Sequence, residues 1–205
     1  MPLVDLNLPV AETSLPGDVR AFLREADRRI RRFQREAHFP AFVPSDFPRA
    51  YAVLRALSES GQAPGSLFCE WGSGFGVIAC LAAFLDFDAY GIEIEGELVD
   101  AAQELADDFA LPVEFVRGSF IPAGYDVHDH GDEFAWLTTD AGGGHQDLGL
   151  EPDDFDVIFA YPWPDEERVT EALFEKCGRS GAVLLSYHTS DDLRVRRKTS
   201  ARCGR

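Results

Sequence analysis

Apolar side chains recur at Val19, Phe22, Leu23, Ala26, Ile30, Phe33 and Ala37, just after Ser14-Leu15-Pro16. This three-to-four-residue spacing predicts an amphipathic helix with a start signal ahead of it. Its outer face holds Arg28, Arg29, Arg31 and Arg32 and is expected to be a solvated charged face. Pro40, Pro44 and Pro48 then punctuate the chain, and Ala50, Val53, Leu54 and Leu57 mark a second short helix ending near Ser60 and Gly61.

From Pro64-Gly65 onward the period changes to short apolar runs alternating with helical spacing. Strands are expected at 66–71, 88–94, 113–116, 155–161 and 182–187, with helices at 75–86, 98–109 and 165–177. Five βα units in order predict an α/β fold, a doubly wound, mostly parallel sheet with helices on both faces. Residues 1–61 then form an N-terminal helical extension and 62–190 the main domain. Segment 118–154 is rich in Gly, Asp and His and too long for an ordinary connection, which predicts a surface insertion or lid. Beyond residue 190 only Leu193-Arg194-Val195 offers a strand. Residues 191–205 therefore read as a basic tail or a short edge strand, and the C-terminal strand region as shortened.

A chain of 205 residues with 45% hydrophobic and 27% charged residues is long and apolar enough for one well-buried core. The longest apolar run, 77–85, is far short of the ~20 residues of a membrane helix, so no membrane partner is expected. No basic segment followed by an apolar stretch opens the chain, which argues against a secretory signal. Cys69, Cys80, Cys177 and Cys203 lack paired spacing and suit a reducing, cytoplasmic compartment. The net charge of −17 is uneven: residues 41–187 hold 28 acidic against 6 basic side chains. Such a body repels phosphate backbones, so nucleic acid is disfavoured as a partner. A small molecule or a protein is the partner class left.

One turn looks chemically active. The 66–71 strand runs through Glu70-Trp71-Gly72-Ser73-Gly74-Phe75-Gly76 straight into a helix. Glycines there permit a sharp bend and close approach of a ligand, at the strand ends where open α/β sheets bind ligands. A dinucleotide fingerprint would be G-x-G-x-x-G, but Val77 stands where its third glycine belongs.

An acidic residue followed by G-x-G-x-G resembles motif I of the class I, seven-β-strand, Rossmann-like S-adenosylmethionine-dependent methyltransferases. The resemblance implies a cofactor, S-adenosylmethionine, packed against Gly72, Ser73, Gly74 and Gly76, with Glu70 near its amino-acid moiety. A second motif, Gly91-Ile92-Glu93-Ile94-Glu95, ends the 88–94 strand. There the resemblance implies that Glu93 accepts hydrogen bonds from both ribose hydroxyls, a task suited to an acceptor-only carboxylate. Ser119 stands where many members place an adenine-binding Asp, and Phe120 beside it offers an apolar wall. The segment 42–47 resembles the part of small members, including non-SET protein-lysine methyltransferases, that closes over the methionine end, with Ser45 reaching the carboxylate. The alternative for Ser45 or Asp46 is a helix N-cap.

Strand 155–161 continues into Tyr161-Pro162-Trp163-Pro164, at the place that faces the transferred methyl group in that family. Tyr161 and Trp163 are the candidate catalytic residues, with rings suited to a cationic acceptor. The alternative is a Pro-rich turn that packs Trp163 into the core. Glu166 and His188 fall at the same edge by topology. His128-Asp129-His130-Gly131-Asp132-Glu133, with Asp140 and His145, has metal-binding residue types, but an acidic loop that binds nothing is expected. Methyl transfer to an amine of a protein side chain or small molecule is the leading expectation. A Rossmann-type nucleotide-dependent oxidoreductase and an inactive S-adenosylmethionine-binding module stay open.

Overall fold

The computed structural model describes residues 2–11, 14–36, 43–125, 137, 142–164, 166–188 and 192–200. Seven strands and six helices follow one another among them: β1 (Leu3–Asp5), α1 (Gly17–Glu36), α2 (Phe47–Ser60), β2 (Leu67–Trp71), α3 (Val77–Ala83), β3 (Asp88–Glu93), α4 (Gly96–Asp108), β4 (Val113–Arg117), α5 (Gly144–Leu148), β5 (Val157–Ala160), α6 (Glu167–Cys177), β6 (Val183–His188) and β7 (Asp192–Lys198). They form one sheet in the order β1-β7-β6-β5-β2-β3-β4. β2, β3, β4, β5 and β6 are parallel, and β7 is antiparallel to both of its neighbours. The chain steps outward from β2 to β4 and then returns to β5 on the other side of β2. That reversal opens a crevice at the carboxyl ends of β2 and β5, the usual ligand position in such sheets.

Side chains alternate along each strand, so the sheet carries two cores. Phe68, Phe159, Leu185 and Tyr187 face α1 to α4, while Cys69, Trp71, Ile158 and Leu184 face α6. α1 buries Val19, Phe22, Ala26 and Ile30, the positions expected from its spacing. Its Phe22 ring stands edge-on to both Phe84 and Phe109. The arginine face is less solvated than expected. Arg29 bonds Glu25 on its own helix and also Asp108 at the end of α4, which ties the extension to the domain. Among the described residues no helix is long and apolar enough to cross a membrane.

The two ends of the chain depart from the sequence reading. Leu3–Asp5, which gave no strand signal, pairs with β7 and completes the sheet edge. β7 runs over seven residues rather than three. Leu193 and Val195 pack toward the α1 to α4 core, while Arg196 pairs with Glu171 and buried Lys198 donates to the Gly178 carbonyl at the end of α6. The strand was hard to see because one of its faces is cationic and bonds a helix. Segment 118–154 is also not purely a surface insertion, since Ile121, Tyr125 and His145 are buried.

Asp156 fixes the start of β2 against β5. Its carboxylate accepts from the Leu67 N–H at 3.0 Å and pairs with Arg179 at 2.7 Å, and a Cβ on Gly65 would overlap it. Replacing Asp156 with Ala strands the Leu67 donor and is expected to cost about 1–3 kcal/mol, measured by urea unfolding.

Candidate functional site

Gly72, Gly74 and Gly76 adopt φ of 70°, 52° and 65°, a left-handed region that costs an L-residue about 1–2 kcal/mol. Three such positions within five residues account for the glycine spacing, but the glycines do different jobs. Around Gly72 a Cβ would meet nothing within 4 Å, so its absence leaves an open cradle at the surface of the crevice. At Gly76 a Cβ would overlap the Phe115 ring and stand 2.9 Å from the Ala102 Cβ. Gly76 does not line the crevice, in contrast to the sequence expectation. It makes room for Phe115, as Gly91 also does.

The N–H groups of the turn are used internally. Gly72 and Ser73 both donate to the Ile92 carbonyl, at 2.9 and 3.0 Å, and Gly76 donates to the Ser73 carbonyl at 2.7 Å. Gly74 donates to Glu93 Oε2 at 2.8 Å. A phosphate cradle works by presenting unspent N–H groups to the anion. This turn brings its backbone close to a ligand but withholds these four donors.

Glu93 lies at the end of β3, where its carboxylate also accepts from the N–H groups of Ile94 at 2.8 Å and Glu95 at 3.1 Å. Burial raises its pKa, and the three N–H groups oppose that rise. Three of a carboxylate's roughly four acceptor positions are thus filled. One acceptor position is left, on Oε2, where the bidentate grip on both ribose hydroxyls implied by the motif would use two. Glu70 points into the sheet's other business: Oε2 accepts from the Ala79 N–H at 2.9 Å and holds the first turn of α3. Burial pushes its carboxyl well above the usual range.

These residues surround one crevice of about 280 Å³. Ser45, Glu70, Gly72, Ser73, Gly74, Glu93, Ser119, Tyr161 and Trp163 all line it. The Ser73 hydroxyl is buried without a hydrogen-bond partner. Ser45 is half-buried on the wall, while its neighbour Asp46 takes the N-cap role by accepting from the Arg49 N–H at 3.1 Å. Phe42, the first residue of that segment, lies outside the described residues. Ser119 turns its hydroxyl to the Ile121 N–H at 3.1 Å, so its adenine role competes with a local bond. Phe120 stacks on Trp71 with ring centres 5.2 Å apart and planes 8° from parallel, which builds the apolar wall beside it.

Tyr161 meets Tyr187 edge-on at 5.0 Å, and Trp163 is partly exposed on the wall rather than in the core. His188 is not part of the lining; it bonds Ser186 at 3.0 Å beneath α6. His128 to Glu133 and Asp140 lie outside the described residues. His145 is buried, with its ring nitrogens 3.2 Å from the Leu150 carbonyl and 3.1 Å from that of Phe120, and burial lowers its pKa. It braces the Phe120 wall.

The sequence missed Leu137 and Thr170 on the lining, and it had no means of pairing Trp71 with Phe120 across 49 positions. Among the described lining residues there are four glutamates and no Lys, Arg or His.

No protein-family model and no curated protein matches the chain. Solved structures do share its fold. An RNA methyltransferase from Salinibacter ruber, in complex with S-adenosyl-L-homocysteine, aligns at a TM-score of 0.54 and 16% identity, over 79% of this chain and 97% of that one. An O-methyltransferase from Bacillus cereus, also with S-adenosylhomocysteine, gives 0.53 and 15%, over 86% and 68%. A methyltransferase from Geobacter sulfurreducens gives 0.50 and 15%, over 91% and 92%. At these identities the likeness establishes the fold, the Rossmann-like α/β fold of class I methyltransferases.

Proposed function

We propose that this chain binds S-adenosylmethionine in the crevice at the ends of β2, β3 and β5 and is an enzyme that transfers its methyl group to an amine. The observation that carries this reading is the pairing of a glycine turn with four of its N–H groups spent and a described lining charged only by carboxylates. A dinucleotide pyrophosphate would find these four backbone N–H groups already bonded and no cation among the described lining residues. A sulfonium cation finds complementary charge.

The residues present suit that molecule. Gly72 provides the cradle for close approach, the remaining acceptor position of Glu93 suits one ribose hydroxyl, and the unpartnered Ser73 hydroxyl suits a polar group of the ligand. Phe120, held by Trp71, offers a flat apolar surface for a base. When bound, S-adenosylmethionine supplies a methyl group already activated on sulfur, so the protein's task is to align a nucleophile and exclude water. Tyr161 and Trp163 are the aromatic wall on the acceptor side. The acidic body and lining favour an amine, in a protein side chain or a small molecule, over a phosphate-bearing acceptor.

Incubation with tritium-methyl S-adenosylmethionine and butylamine, butanol or an RNA oligonucleotide tests the reading. Label is expected in butylamine alone. Label in RNA or butanol but not in butylamine overturns the acceptor class, and the absence of labelled product with any acceptor overturns the activity.

A further inference from the structure

We propose that Tyr187 is a positioning residue for the methyl donor, its hydroxyl pinning segment 43–47 in place as a wall of the crevice; this rests on the reading of the crevice as the S-adenosylmethionine site. Val43, Pro44, Ser45 and Phe47 line that wall. Val43 is 49% exposed, an apolar surface that a molecule in the crevice would cover.

Asp46 is the joint between this wall and α2, and it is held from two directions. α2 holds it through the Arg49 N–H, which donates to its carboxylate at 3.1 Å, and the Ala50 N–H, which donates to its carbonyl at 2.9 Å. β6 holds it from 141 positions away, where the Tyr187 hydroxyl accepts from the Asp46 N–H at 3.3 Å. The first two bonds belong to the helix and travel with it. The third ties the wall to the sheet whose strand ends form the rest of the crevice.

Tyr187 does not line the crevice, so it acts through its neighbours. It is 1% exposed, in the core that faces α1 to α4, and its ring meets the crevice-lining Tyr161 edge-on. A ring in a close-packed core has little freedom, which gives the hydroxyl a fixed place from which to accept. Asp46 by contrast is exposed, so water can satisfy its N–H once the hydroxyl is removed. Losing the bond therefore takes little from the fold and takes the wall's position. A net neutral hydrogen bond corresponds to about two- to tenfold in an equilibrium constant.

Tyr187→Phe removes the hydroxyl and keeps the ring against Tyr161. Asp46→Pro removes the N–H from the other side, at a residue whose φ of −72° a proline adopts, and also gives up the cap to Arg49. Surface plasmon resonance with S-adenosylhomocysteine, on variants shown folded by circular dichroism, tests the assignment. Dissociation is expected to quicken about three- to tenfold in Tyr187→Phe and at least as much in Asp46→Pro, with the double variant no faster than Asp46→Pro. With butylamine as acceptor, KM for S-adenosylmethionine is expected to rise by a similar factor in Tyr187→Phe while kcat stays within about twofold, because the acceptor wall keeps its ring contact. A hydroxyl that served the fold alone would shift the urea midpoint and leave these rates unchanged. Dissociation at the wild-type rate in Tyr187→Phe, accelerations that multiply in the double variant, or a fall in kcat with KM unchanged overturns the role of Tyr187. Failure of wild type to bind S-adenosylhomocysteine overturns the methyl-donor reading beneath it.

Discussion

Gly76→Ala is expected to lower stability by about 2–5 kcal/mol, combining the left-handed backbone penalty with overpacking against Phe115. A loss of that size is a large part of the ~5–15 kcal/mol that keeps an ordinary domain folded. The crowding is specific, because the added methyl meets the Phe115 ring and the Ala102 methyl. Phe115→Leu should therefore recover part of the loss in the double variant, leaving the backbone penalty. Urea midpoints of the four proteins measure this coupling. Because Gly76 lies off the crevice, the folded fraction of Gly76→Ala should keep its affinity for S-adenosylhomocysteine to within a few-fold.

Gly72→Val should behave in the opposite way. Nothing lies within 4 Å of a Cβ at Gly72, so the fold loses only the left-handed penalty of about 1–2 kcal/mol. The branched side chain instead fills the cradle on the crevice wall. S-Adenosylhomocysteine affinity is expected to fall at least about 100-fold, equivalent to about 2.7 kcal/mol. Two glycines of one motif thus separate, one by denaturation and the other by titration. If Gly72→Val binds like wild type, the donor does not lie along this turn.

That separation also marks the limit of what the sequence discloses. The strand-turn-helix around residues 70–76 is legible because three left-handed positions leave a glycine signature, and Glu93 follows one βα unit later. The pattern does not disclose which way a missing Cβ faces, and so Gly76 looked like a ligand contact. The parallel strands were readable as apolar runs because both of their faces are buried. β7 was not, since Arg196 and Lys198 on one face answer Glu171 and a helix end rather than an apolar core. Leu3–Asp5 is only three residues long and is a strand by virtue of β7 beside it. Tyr161 and Trp163 were placed at the crevice by their position after β5, and both line it.

The acidic lining has a consequence for pH. Glu93 has its pKa raised by burial, so it takes up a proton at higher pH than a free carboxylate as the solution is acidified. Protonation removes acceptor capacity from the carboxylate proposed to hold the ribose, and ligand affinity should weaken on that descent. For folding the sign is reversed: a carboxyl with a raised folded pKa is most favourable below its unfolded pKa and loses that contribution as pH rises through the folded value. Acid should therefore weaken binding while Glu93's own contribution to the fold grows.

Calorimetric titration of S-adenosylhomocysteine into wild type and Glu93→Ala tests the central claim most directly. One ligand per chain is predicted for wild type, with affinity reduced at least about tenfold in Glu93→Ala under conditions where circular dichroism shows it folded. No heat of binding with wild type, or equal affinity in the two proteins, contradicts the account.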